Sequence, residues 1–346
     1  MRSFWKSATG LTGLLALAVT GCSPGSGTAP DAASAAPTTS AAAAPAPTAS
    51  TAGSSTSYAP YVSATTAYGT DSAGSPAAYN LAFVISDGAG CAPKWGGDRA
   101  VDDTAVTNRI GALKKSGAAV RVSFGGASGK ELATVCDSAS ALAEAYGRAL
   151  DAAGSSLADF DIEGDTLGDS ASVARRSQAI ELLQKERPDL KVTFTLPVMP
   201  DGLDSDGLAL LASANQYDVQ VSTVNLMTMN YGESYTGDMG DYAVTAATAA
   251  HTQLKKVFGL SDAAAWRGMA LTSMIGVNDI AGETFTLADA ARVRSFAEEK
   301  EIAWVSMWSA FRDRQCAKGG SAGSDAATDC SGVAQEAGAF GRALAG

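Results

Sequence analysis

The stretch Leu157-Ala158-Asp159-Phe160-Asp161-Ile162-Glu163-Gly164 sets three carboxylates at alternate positions among apolar residues. Alternate side chains of a β-strand share a face. The expectation is therefore one strand over Leu157–Gly164 with Asp159, Asp161 and Glu163 on the same side. Like-charge repulsion and desolvation both raise carboxyl pKa values in such a place. A strand that serves structure alone gains nothing from this, whereas a site that must keep an acid protonated near neutral pH does. Phe160 and Ile162 on the other face predict a buried strand, and Gly164 ends the run where its acidic end opens into a pocket.

Outward from that strand the same punctuation repeats. Short β-branched runs at Tyr58–Ser63, Asn80–Ser86, Val120–Gly126, Lys191–Val198, Ser222–Tyr231, Met269–Val277 and Ala303–Trp308 read as strands. Helix-forming stretches lie between most of them, at Val101–Ser116, Ser138–Ala153, Ser172–Glu186, Asp204–Ala214, Asp241–Val257 and Leu287–Lys300. Thr286 with Asp289 three residues on reads as a capped helix start. The segment Ala64–Tyr79 is broken by Gly, Ser and Pro and predicts no helix. Eight strands alternating with helices predict an α/β fold, a (β/α)8 TIM barrel, as a single domain over residues 58–346. A doubly wound sheet would usually carry a glycine-rich phosphate loop, and no G-x-G-x-x-G is present. In a barrel the functional residues sit where strands end.

The chain of 346 residues begins with a different kind of sequence. Arg2 and Lys6 precede an uncharged, mostly apolar run that ends at Cys22, the layout of an export signal over 1–21. Val19-Thr20-Gly21-Cys22 resembles the lipobox of bacterial lipoproteins, which implies a lipidated Cys22. Ser23–Ser57 holds only Ser, Pro, Gly, Thr and Ala apart from Asp31. Such a composition cannot build a core, so 22–57 is expected to be a disordered tether reaching roughly 100 Å when extended. These features predict a location at the outer face of the cell membrane or in the medium, with the lipid as the only membrane contact. A net charge of −11 argues against nucleic acid and other polyanions as partners.

Of five cysteines, four remain once Cys22 is set aside: Cys91, Cys136, Cys316 and Cys330. An even number in an exported chain points to two disulfides, with three pairings open. Cys91–Cys136 and Cys316–Cys330 are favoured. The first would join two loops on one face of the barrel, and the second would close a short Gly/Ser/Asp loop. The single histidine, His251, lies in a helix-like run and reads as a surface residue. With one histidine and no close Cys pair, neither a metal site nor a Ser-His-Asp triad is expected, and no cofactor is implied.

The strand ends carry a resemblance. Val122–Gly126 reads VSFGG, Ser156–Glu163 reads SLADFDIE, Met227–Tyr231 reads MTMNY and Ser306–Ser309 reads SMWS. In this order they resemble the family 18 glycoside hydrolases, the chitinase group, with S-x-G-G, D-x-x-D-x-D-x-E, M-x-Y-D or Q-x-Y-N, and a Trp on the last strand. Tyr58–Val62 (YAPYV), Cys91–Gly97 (CAPKWGG) and Met274–Asp279 (MIGVND) are similar to a bacterial subgroup.

The resemblance implies hydrolysis of β-1,4-linked N-acetylglucosamine glycans, chitin or chito-oligosaccharides, by a substrate-assisted retaining route, with the glycan as partner and a monomer expected. It casts Glu163 as acid and base, Asp161 as the orienter of the acetamido group, and Asp159 as a deeper support sharing a proton or hydrogen bond with Asp161. Trp308 would floor a sugar subsite and Trp95 is a second candidate, while Ser123, Gly125 and Gly126 would permit close packing beneath the acids. Two departures stand out. Ser156 and Leu157 replace the family's leading Asp and Gly, and Met229 replaces the Tyr that supports the acetamido carbonyl. Tyr231, on the face of Met229 in an unbroken strand, would supply that hydroxyl, and Asn230 would hydrogen-bond without charge. A chitinase-like binding protein that has lost catalysis is the other reading.

Overall fold

Pro60 divides the first barrel strand. In the computed structural model, which describes residues 55–317 and 330–346, β1 consists of Ser57–Tyr58 and Tyr61–Ser63 instead of one run. Proline has no N–H for a ladder, and the chain changes partner there. Ser57–Tyr58 pairs with the last strand and Tyr61–Ser63 with the second, which closes the sheet. The expected leader, Cys22 and most of the expected tether lie outside the described residues. Among the described residues no helix is long and apolar enough to cross a membrane.

The ring continues through β2 (Ala78–Ser86), β3 (Ala119–Gly125), β4 (Leu157–Asp161), β5 (Lys191–Pro197), β6 (Val221–Met227), β7 (Met269–Met274) and β8 (Trp304–Trp308), each parallel to its neighbours. This is the (β/α)8 barrel. Six long helices cover it: α1 (Thr104–Lys114), α2 (Ala139–Ala153), α3 (Ser170–Glu186), α4 (Ser205–Gln216), α5 (Met239–Phe258) and α6 (Leu287–Lys300). Each starts at a residue whose side chain accepts a backbone N–H, namely Asp103, Ser138, Asp169, Asp204, Asp238 and Thr286. Thr286 and Asp289 form the expected capping box. No helix follows β1. A short C-terminal helix absent from the sequence reading, α7 (Ala339–Ala345), packs on α6, β8 and β1. The turn after β1 lies so close to it that a Cβ at Gly341 would stand 2.9 Å from the Ala73 carbonyl oxygen.

Strand alternation separates two cores. Outward-facing Phe124, Phe160 and Phe194 stack along β3–β5, with Phe124 also 4.7 Å from the ring of Tyr146 on α2. The inward face is polar. Thr272 donates to Asn225 at 2.9 Å, Asn225 to Thr195 at 3.0 Å and Thr195 to Asp159 at 2.6 Å. Deeper still, Arg121 donates to Asn80 and lies 4.1 Å over the Trp304 ring. A buried polar group without a partner costs about 1–3 kcal/mol, so a hydrogen-bonded interior fixes which strand faces which.

Both favoured disulfides are present, Cys91–Cys136 and Cys316–Cys330. His251 is not a surface residue. It is buried on α5 and stacks 3.9 Å from Trp266, its Nε2 within 3.0 Å of the Asp262 carbonyl oxygen.

Candidate active site

Asp159 sits inside β4, fully enclosed. Its Oδ2 accepts hydrogen bonds from Ser123 at 2.6 Å and Tyr61 at 2.8 Å, and its Oδ1 from Thr195 at 2.6 Å. Burial raises its pKa, while these three donors and the Arg121 charge oppose the rise. The expected hydrogen bond to Asp161 is absent. The oxygens of Asp159 are turned to β1, β3 and β5, and its effect on Asp161 is purely electrostatic.

β4 ends at Asp161, two residues before the acid it was expected to carry. Asp161 is buried and its Oδ1 has no partner. Burial, then the charge of Glu163, then that of Asp159, push its pKa well above the ordinary value, and its carboxyl is hydrogen-bonded to that of Glu163. Glu163 lies beyond the strand and is half-buried. Burial raises its pKa, the bond from Asp161 lowers it, and the charge of Asp279 raises it again. The arrangement sets two carboxyls with raised pKa values side by side at the mouth of the barrel, Asp161 buried and Glu163 partly exposed.

The glycines that end β3 make room for this. A Cβ at Gly125 would stand 2.1 Å from the Asp161 carbonyl oxygen, and one at Gly126 would stand 2.8 Å from the Phe83 ring. Gly126 N–H donates to the Asp161 carbonyl at 2.9 Å. Phe83, not singled out from the sequence, stacks on Trp308 at 5.6 Å. Trp308 is half-buried at the end of β8 and continues through Phe311 to Tyr68, each pair of centroids 5.6 Å apart. On the other side of Glu163 a polar cleft of about 410 Å³ is lined by Gly126, Lys130, Thr134, Thr166 and Asp169. Its wall is braced by the Cys91–Cys136 disulfide and by Glu131, which takes Arg176 at 2.7 Å and Tyr146 at 3.0 Å.

Two expectations are corrected. Trp95 is completely buried, its Nε1 donating to the Val101 carbonyl at 3.4 Å, so it packs its loop and offers no face to a ligand. β6 ends at Met227, and Asn230 takes a left-handed conformation with φ +55°. Met229 and Tyr231 therefore do not alternate along an unbroken strand. Met229 is half-buried and Asn230 exposed, whereas the Tyr231 ring turns into a cluster with Tyr235 and Tyr242. The Tyr231 hydroxyl is buried beside Glu283, whose charge with burial raises its pKa.

No protein-family model matches the chain. It is 35% identical over 275 residues to the probable bifunctional chitinase/lysozyme of Escherichia coli K12, covering 74% of this chain and 31% of that one. It is 34% identical over 276 residues to endochitinase 11 of Metarhizium anisopliae, covering 74% and 52%. The chain thus spans about a third and about half of these relatives. The catalytic domain of a hyperthermophilic chitinase from Pyrococcus furiosus superposes with a TM-score of 0.73 at 28% identity, over 83% of this chain and 93% of that one. The chain is similar in sequence to these chitinases and shares its barrel fold with a solved chitinase catalytic domain. Asp159 and Asp161 lie on β4 and Glu163 just beyond it, at the face where the strands end, and Trp308 closes the last strand. The strand-six turn departs from the family 18 pattern.

Proposed function

We propose that this barrel hydrolyses β-1,4-linked N-acetylglucosamine glycans, chitin or chito-oligosaccharides, with Glu163 as acid and base. The observation that carries the reading is the hydrogen-bonded pair of Asp161 and Glu163 at the strand-four mouth. Two carboxyls this close do not fit a scheme in which one activates water from across the sugar. They fit one in which the substrate's own acetamido group attacks.

In that scheme the proton held by Asp161 passes to Glu163, which gives it to the glycosidic oxygen while the acetamido carbonyl oxygen bonds to C1. The C1–oxygen bond to the leaving sugar breaks and an oxazolinium forms. Asp161 turns to the acetamido N–H and stabilises the positive ring. Water then bonds to C1 from the face the leaving sugar vacated, its proton passing to Glu163 as the C1–acetamido oxygen bond breaks and the acetamido group is regenerated, so that the configuration is retained. Trp308 floors the sugar, since the apolar face of a pyranose stacks on an aromatic ring. Met229 and Asn230, in the turn after β6, border the site, while Tyr231 is buried behind them.

Glu163→Gln is expected to lower kcat on an N-acetylglucosamine tetramer by about 10²–10⁴-fold while leaving binding in place. A wild-type barrel that binds the tetramer and releases no sugar would establish the binding-protein reading instead. A glucose tetramer, which lacks the acetamido group, should not be cleaved, and its cleavage at a similar rate would exclude the substrate-assisted route. We also keep the sequence-based proposals that residues 1–21 direct export and that Cys22 carries a lipid. Detergent-phase partitioning that survives Cys22→Ala would overturn the second.

A further inference from the structure

β7 and α6 are joined by an excursion containing the hairpin Gly276–Val277 with Thr284–Phe285. It is built rigidly. Val277 N–H donates to the Ser331 carbonyl at 2.8 Å, Arg312 donates to the Val277 carbonyl at 2.7 Å, and Asn278 Nδ2 donates to the carbonyls of Met274 and Gly276 at 2.8 and 3.0 Å. From this platform two acids reach the strand-six turn. Asp279 is exposed and exchanges two hydrogen bonds with Asn230, its N–H to Asn230 Oδ1 and Asn230 Nδ2 to its Oδ2, both at 3.2 Å. Glu283 is 1% exposed. Its Oε1 accepts the Gly232 N–H at 2.8 Å, its Oε2 has no partner, and burial raises its pKa while the N–H groups of Gly232, Asn230 and Tyr231 oppose the rise.

Three consecutive N–H groups turned inward form a cradle for an anion. Here the chain supplies the anion itself, from the loop just before Thr284–Phe285. Asn230 needs such a hold, because a residue with a Cβ occupies the left-handed region only at a cost, though Asn tolerates it better than most. Resting on the function proposed above, we propose that Glu283 is the positioning residue of the strand-six wall. By gathering the N–H groups of Asn230–Gly232 it fixes the left-handed turn that places Asn230 against Asp279, the acid whose charge faces Glu163. The wall that departs from the family's pattern is thus set from the loop after strand seven.

The test compares Glu283→Gln, which keeps a carbonyl oxygen for the N–H groups, with Glu283→Asp, which keeps the charge but withdraws it by one methylene. Glu283→Asp is expected to lower kcat/KM on the tetramer by about 10–100-fold, the scale of a small misplacement at a reacting centre, and to move the alkaline limb of its pH profile. Glu283→Gln should retain most of the wild-type value. In a Glu163→Gln background, calorimetry with the same tetramer should show weaker binding when Glu283→Asp is added. Variants that lose melting temperature but keep kcat/KM, pH profile and tetramer affinity would overturn the inference and leave a purely structural glutamate. A wild type that does not hydrolyse the tetramer would overturn the proposed function, and the binding comparison would still decide the role of Glu283.

Discussion

The raised pKa of Asp161 ties the stability of the folded chain to pH. Asp161 binds its proton more tightly folded than unfolded, because burial and two acidic neighbours raise its pKa. Its contribution to stability is therefore complete below the ordinary value of 3.8 and is lost as pH rises toward the folded value, by up to about 1.4 kcal/mol per pH unit. Asp161→Asn removes that loss. Its melting temperature should exceed the wild type's by a margin that widens from pH 4 to neutrality, and a margin constant with pH would refute this account. Asp279 gives a second handle. Its charge helps raise Glu163, so Asp279→Asn should lower the pH at which kcat/KM falls on the alkaline side. An upward or absent displacement would show that the charge of Asp279 does not reach the acid.

At the scale of the element, the ends of strands decide the site, and they were the hardest part to read. The alternation of Asp159 and Asp161 with Ala158 and Phe160 was legible, because a period of two is a local property of a strand. Where β6 stops was not. Met227–Tyr231 has strand-like composition, yet Asn230 turns left-handed and Glu283, 51 residues beyond Gly232, takes the Gly232 N–H. Trp95 misled for a similar reason, since an aromatic on a loop looks exposed until Pro93–Trp95 pairs as a short antiparallel strand with β2. Gly125 shows the opposite case, a local signal with a specific cause. With φ +98° and a Cβ position 2.1 Å from the Asp161 carbonyl oxygen, it admits no side chain. Gly125→Ala should cost about 1–3 kcal/mol from backbone conformation alone, with more from the displaced β4, measured by urea unfolding. Loss of Cys91–Cys136, through Cys91→Ser with Cys136→Ser, should cost about 2–4 kcal/mol. It should also raise KM more than it lowers kcat, because it frees a wall of the cleft and not the acids.

At the scale of the molecule, eight strands and six of the helices were visible as alternating patterns, since each buries a face set by its own sequence. The helix α7, the burial of His251 and the change of partner at Pro60 were not, because each depends on contacts between distant parts of the chain. The last of these has a consequence for how the molecule comes into being. Ser57 and Tyr58 pair with Trp304 and Val305, so the seam of the barrel joins one of the earliest folded residues to one of the last. A chain emerging from the ribosome in order holds every strand but β8 as an open sheet with two unpaired edges until about residue 308 is made. Contacts so far apart in sequence are slow to form, and exposed edges meanwhile invite wrong pairing. Tyr61, which donates to Asp159 at 2.8 Å, lies just beyond that seam. Ser123 and Thr195 reach Asp159 from the strands beside it, but the Tyr61 hydrogen bond waits on the same event as closure, so a truncated chain would have neither a sealed barrel nor the full support of its innermost acid.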